Sequence, residues 1–223
     1  MIPWKLIDTA PVPGGQADLR LMQRGSEYSI MLGQNELMNS RLSGSEEALA
    51  TQTCARISAV KRPHLLIGGL GMGFTLRAAL AAVGPEATIV VAELMPSIVR
   101  WAQGPLAHIF GTSLTDRRVD IRETDVGDMI RSHRSNFDAI ILDVDNGPEG
   151  LTRDGNSALY SLQGLNLAYT ALRPAGVLAV WSSGPNPDFK RRLAKSRFAV
   201  EELRVRARGS RGARHIIWLA QRD

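Results

Sequence analysis

The pattern of apolar and polar positions changes character along the chain. Residues 19–33, LRLMQRGSEYSIMLG, alternate in part and carry Arg24-Gly25-Ser26 where a hairpin would turn, which predicts two short antiparallel strands. A small β segment over residues 1–44 follows from this. From Ser45 the spacing becomes helical: Glu46 and Glu47 fall in a first turn, then Ala48, Leu49, Cys54 and Ile57 recur. Beyond that helix, strand-length apolar runs alternate with helix-like segments. Residues 64–67 predict a strand leading into Gly68-Gly69-Leu70-Gly71-Met72-Gly73, and the alanine-rich stretch 74–83 predicts the helix after it. Four more strands are predicted at 88–92, 119–123, 139–142 and 177–181, with helices around 97–102, 128–133 and 159–172. Repeated strand–helix alternation predicts an α/β fold with a parallel, doubly wound sheet over residues 45–223. Residues 200–207 and 215–220 flank Gly209-Ser210-Arg211-Gly212 and predict a closing antiparallel hairpin. Such a hairpin suits the methyltransferase version of a Rossmann-like sheet better than the dinucleotide-binding one.

The length of 223 residues fits one large core, and 44% hydrophobic with 22% charged residues is ordinary for a soluble globular protein. No apolar run approaches the roughly 20 residues of a membrane span, so no membrane association is expected. The start, Met1-Ile2-Pro3-Trp4-Lys5, lacks the features of a secretory leader, which makes the cytoplasm the expected compartment. Cys54 is the single cysteine and excludes an internal disulfide. His64, His108, His133 and His215 are scattered without ligand spacing, so no metal is expected. A net charge of +5 raises the question of nucleic acid, because Arg191, Arg192, Lys195 and Arg197 form one basic group and Arg204, Arg206, Arg208, Arg211 and Arg214 another. No interleaved aromatics accompany them, and a solvated basic face is the more ordinary reading.

The glycine loop draws attention to the carboxyl ends of the strands. Glycines let a backbone turn tightly and approach a ligand there, although a ligand-free strand-to-helix turn has the same look. Glu93 ends the next strand 20 residues after Gly73, the place from which a carboxylate accepts hydrogen bonds from ribose hydroxyls. Asp125 follows the third strand, where it could accept from an adenine amino group or cap a helix. Asp143 follows the fourth. Acids at three successive strand ends mark the edge at which open α/β sheets bind ligands.

These residues resemble the spermidine synthases and their aminopropyltransferase relatives, which share the class I methyltransferase fold. The family's glycine-rich loop resembles residues 68–73, its ribose-binding acid Glu93, and its adenine-site Gly-Asp-Ala Thr124-Asp125-Val126. Its Asp-x-x-Asp-Pro-x-Gly-Pro stretch is similar to Asp143-Val144-Asp145-Asn146-Gly147-Pro148, and its Leu-Phe helix start to Leu159-Tyr160. The resemblance implies Gly68, Gly69, Gly71, Gly73, Glu93, Asp125 and Asp143 as binding residues for S-adenosylmethionine or its decarboxylated form. It implies aminopropyl transfer to a small-molecule amine, with Asp143 accepting a proton from the amine or orienting it and Asp145 assisting. Asp145 reads equally as an Asx turn before Asn146-Gly147. The family's amino-terminal β domain further implies a homodimer.

Three departures concern the acceptor side. The stretch from Asp143 to Asp145 is shorter than the family's. Its acidic Glu-Arg-Asp-Glu segment and following Tyr-His-Glu are replaced by residues 39–47, NSRLSGSEE, which reads as a loss of carboxylates and of a tyrosine. A glutamine after the fifth strand is replaced by Trp181-Ser182-Ser183. Two other readings therefore stand beside the first: a methyltransferase using S-adenosylmethionine on a small molecule, and a non-catalytic cofactor-binding protein whose basic region contacts nucleic acid. Tyr28 and Gln34 are weaker candidates for the acceptor side.

Overall fold

The computed structural model describes residues 2–12, 17–144, 147–148, 158–208 and 211–223, and Asp145, Asn146, Gly209 and Ser210 fall outside them. Four antiparallel strands come first: β1 (Lys5–Ala10), β2 (Leu19–Arg24), β3 (Glu27–Leu32) and β4 (Asn35–Asn39), hydrogen-bonded in that order. Leu21 pairs directly with Ile30 across β2 and β3, and both are buried, so this pair fixes which face of the sheet turns inward. The hairpin expected at 19–33 is therefore present. The flanking strands β1 and β4 expose most of their residues and carried no period that sequence reading could use.

The remainder follows the expected alternation: α1 (Gly44–Arg56), β5 (His64–Gly68), α2 (Phe74–Ala82), β6 (Thr88–Glu93), α3 (Pro96–Gln103), α4 (Ala107–Phe110) and β7 (Val119–Glu123). Then come α5 (Val126–Ser132), β8 (Phe137–Leu142), α6 (Leu162–Ala171), β9 (Leu172–Ser182), α7 (Pro187–Ala194), β10 (Ala199–Arg208) and β11 (Arg211–Gln221). Among the described residues β5 to β11 make one sheet of order β10-β11-β9-β8-β5-β6-β7. The pairs β5–β6, β6–β7, β5–β8 and β8–β9 are parallel, while β11 lies antiparallel between β9 and β10. Leu65, Leu66 and Ile67 of β5 are wholly buried because helices cover both faces.

The chain leaves β5 toward β6 on one side and returns to β8 on the other. The carboxyl ends of β5 and β8 therefore flank the switch point at which such sheets open a ligand crevice. On one face, Leu21 and Ile30 of the small sheet join Leu49, Ile67 and Trp101 in a single core; on the other, α5, α6 and α7 pack over Ile140, Leu178 and Trp218.

Three element boundaries differ from the sequence expectation. α6 begins at Leu162 rather than near 159, because the Ser161 side chain accepts from the Gly164 N–H (3.0 Å) and starts the helix there. β9 runs back to Leu172, with Pro174-Ala175-Gly176 absorbed in a register shift against β8 instead of ending a helix. α7, begun by Asn186 accepting from the Phe189 N–H (2.8 Å), was not expected at all. Among the described residues no helix is long and apolar enough to cross a membrane.

Candidate active site

The glycine loop leaves β5 by a route that side chains would obstruct. Gly69 has φ +87, and a Cβ there would meet the Asp143 carbonyl oxygen at 2.8 Å. Gly73 has φ +78, and its Cβ would strike the Phe110 ring at 2.4 Å. Both positions therefore demand glycine, and they bring the loop against the end of β8, where the Asp143 N–H donates to the Gly68 carbonyl (3.1 Å).

Above this junction lies a cavity of about 160 Å³, far larger than a packing defect. Gly69, Gly71, Glu93, Asp125 and Asp143 line it. Gly68 and Gly73 shape the loop without reaching the cavity wall. Leu19, Ile30 and Met38 of the small sheet roof it, and Met95 and Ile98 close the side toward α3. Tyr28 is elsewhere: it is buried, its ring meets His108, and its hydroxyl accepts from Gln23 (2.9 Å). Gln34 is exposed and is not part of the wall. Tyr160 packs edge-on against Phe189 in the opposite core.

Glu93 is 7% exposed. Its Oε2 accepts from the Leu70 N–H (2.8 Å) and its Oε1 from the Met95 N–H (2.8 Å), so the carboxylate holds the glycine loop to the end of β6. Burial raises its pKa, against the lowering effect of these backbone donors. Each oxygen keeps a second lone pair, which is what a pair of ligand hydroxyls would use. Asp125 performs both roles weighed for it. Its Oδ1 accepts from the Gly127 N–H (2.7 Å) as the cap of α5, and the residue also lines the cavity.

Asp143 differs from the other two acids. Burial pushes its carboxyl up to about 7, the nearby Glu46 carboxylate adds to the rise, and a hydrogen bond from the Thr75 hydroxyl (2.5 Å) opposes it. Glu46 was read from sequence only as a first-turn acid of α1, inside a segment counted as having lost its carboxylates. The structure corrects that: α1 packs beside α2, β8 and β9, and this places Glu46 in the same cavity as Asp143. Burial raises the pKa of Glu46 too. Among the described residues no ion pair involves Glu46 or Asp143, and no group of three or more His, Cys, Asp or Glu side chains converges as a metal site. Trp181, in place of the family's glutamine, walls this end of the cavity. Asp145 lies outside the described residues.

No family model matches the chain. Over 131 residues it is 32% identical to polyamine aminopropyltransferase 1 of Streptomyces coelicolor, an alignment covering 57% of this chain and 24% of that protein. The chain thus spans about a quarter of the curated relative it matches. Among solved structures it is similar to spermidine synthase from Thermotoga maritima, with a TM-score of 0.79 at 17% identity over 98% of this chain and 73% of that one. A spermidine synthase in complex with the transition state analogue AdoDATO gives 0.77 at 18% identity, with the same coverage. The O-methyltransferase TomG from Streptomyces achromogenes, in complex with SAM, gives 0.56 at 14% identity over 80% of each chain. These likenesses show the expected fold: a Rossmann-like, methyltransferase-type sheet with an antiparallel sheet before it.

Proposed function

We propose that this chain is a transferase that moves an aminopropyl group from decarboxylated S-adenosylmethionine to an amine. The observation that carries the reading is a cavity with a glycine loop and Glu93 at one end and the cation-free acid pair Glu46 and Asp143 at the other. The first end suits a nucleoside, whose ribose hydroxyls donate to Glu93. The second attracts nitrogen cations and repels a carboxylate, so it disfavours the methionine carboxylate of ordinary S-adenosylmethionine.

In the reaction, the lone pair of a neutral amine attacks the methylene carbon next to the sulfonium. The carbon–sulfur bond breaks, its electrons return to sulfur, and 5′-methylthioadenosine departs as a neutral thioether. Sulfonium is a good leaving group, so the protein's work is alignment and removal of a proton from nitrogen. A carboxyl poised near neutrality suits that proton, and Asp143 lies beside the loop over which the sulfonium would rest. Asp145, next along the chain, would assist by hydrogen bonding.

Calorimetric titration with decarboxylated S-adenosylmethionine, S-adenosylmethionine and 5′-methylthioadenosine tests the assignment. The decarboxylated form and the thioether should bind, and the carboxylated form should bind at least about tenfold more weakly. Preference for S-adenosylmethionine would transfer the assignment to a methyltransferase. The same reading includes a cytoplasmic homodimer joined through the small sheet. Exposed Ile2 and Leu6, on and beside β1, support that surface, and sedimentation equilibrium measures it.

A further inference from the structure

The departures at residues 39–47 and at Trp181 converge on one end of the cavity. Glu46 lies there with its carboxylate held from behind: the Ser45 hydroxyl donates to Oε2 (2.6 Å), and His215 Nδ1 meets the same hydroxyl at 2.8 Å. A hydroxyl has one proton. With that proton given to Glu46, His215 must be the Nδ1–H donor, so the row runs His215 to Ser45 to Glu46 in one direction. Ser45 is fully buried, and the His215 ring is fixed edge-on against Trp181 with centroids 4.8 Å apart. A glutamate at the start of a helix needs none of this to be a surface residue; its neighbour Glu47 is simply exposed.

Two further observations point to a ligand. Trp181 is 8% exposed and lines the cavity, yet its indole N–H has no partner among the described residues. Its ring is also a surface on which an ammonium group gains cation–π attraction. In addition, the two carboxylates face each other with no lysine or arginine paired to either, an arrangement in which each raises the other's cost of ionisation until a cation arrives. Two carboxylates without a third ligand make a poor divalent-metal site and a good site for an alkylammonium group.

Resting on the transferase reading above, we propose that Glu46, steered by Ser45 and His215 and walled by Trp181, is the residue that selects the acceptor. It holds the charged, non-reacting nitrogen of a diamine while Asp143 attends the nitrogen that reacts. Glu46 thus supplies in α1 an acid that the altered segment seemed to have given up.

The test measures binding of 1,4-diaminobutane, 1-aminobutane and 4-aminobutanoate to the whole chain, with and without 5′-methylthioadenosine. The parent protein should favour the diamine over the monoamine by about tenfold or more and bind the amino acid least. Glu46→Gln should bring the diamine down to the level of the monoamine and leave thioether affinity unchanged, and Glu47→Gln should keep the parent's selectivity. Thioether binding by Glu46→Gln reports that the variant is folded. Undiminished diamine preference in Glu46→Gln, or no diamine preference in the parent, overturns the proposal. Diamine selectivity that depends on Glu46 in a protein that fails to bind the thioether supports the acceptor site while removing the nucleoside reading on which the transferase assignment depends.

Discussion

Asp143 carries opposite consequences for stability and for turnover. Its carboxyl moves from 3.8 in the unfolded chain to about 7 in the fold, so the native state holds this proton more tightly than the unfolded one. The associated stabilisation is complete at pH below 3.8 and disappears as pH rises through about 7. Asp143→Asn cannot ionise. It should therefore become progressively more stable than the parent from acid to neutral pH, with the difference levelling off above neutrality, while turnover falls by roughly 10²–10⁴-fold. Urea melts across that range measure the first effect, and a pH-independent difference between the two proteins would contradict the assigned environment. Cys54 provides a simpler check. Burial pushes its thiol up to about 11, so a thiol reagent at mildly alkaline pH should label the native protein negligibly and the denatured protein once per chain.

The loop from β5 to α2 was legible in the sequence because two signals coincide: an apolar run ends where glycines cluster, and the following segment is rich in helix formers. Gly73→Ala tests how strictly the loop is built. An alanine at φ +78 is strained, and its methyl would occupy the space of the Phe110 ring edge. The substitution should destabilise by about 1–3 kcal/mol, lower the melting temperature by several degrees and weaken 5′-methylthioadenosine binding as the loop shifts away from Glu93. Unchanged melting and binding would mean that the loop tolerates another path. Glu93, Asp125 and Asp143 were legible for a related reason, since each terminates or follows a buried strand. Glu46 was not. Acids in the first turn of a helix are favoured by the helix dipole wherever it faces, so only the packing of α1 against β8 and β9 distinguishes Glu46 from Glu47. α7 was hidden similarly: PDFKRRLA buries only Phe189 and Leu193, and its charged majority reads as a loop or a basic patch.

At the scale of the whole molecule, part of the carboxyl-terminal basic charge proves to be packing. Arg192 donates to the Tyr160 carbonyl (2.9 Å), Arg197 and Arg222 lie over the Tyr169 ring at 4.5 and 4.8 Å, and Arg191 pairs with Asp188. These arginines have structural partners, which weakens the sequence argument for a phosphate-binding face without touching the fold. The same accounting applies to the small sheet. Leu21 and Ile30 belong to the core that contains Leu49 and Ile67, the Trp101 indole N–H donates to Asp8 (2.6 Å), and Tyr28 stacks near His108. The sheet thus roofs the cavity by sharing the main core instead of possessing one. A sheet without its own apolar interior cannot melt alone with a separate cooperative transition. Leu21→Ala, which empties a fully buried site, should cost about 2–5 kcal/mol and shift one transition for the entire chain downward by about 5–15 °C. Calorimetry with far-ultraviolet circular dichroism and tryptophan fluorescence should show coincident midpoints in the parent and in the variant. An early transition confined to part of the fluorescence signal would show that the small sheet unfolds by itself, and the cavity roof would then be a separable lid.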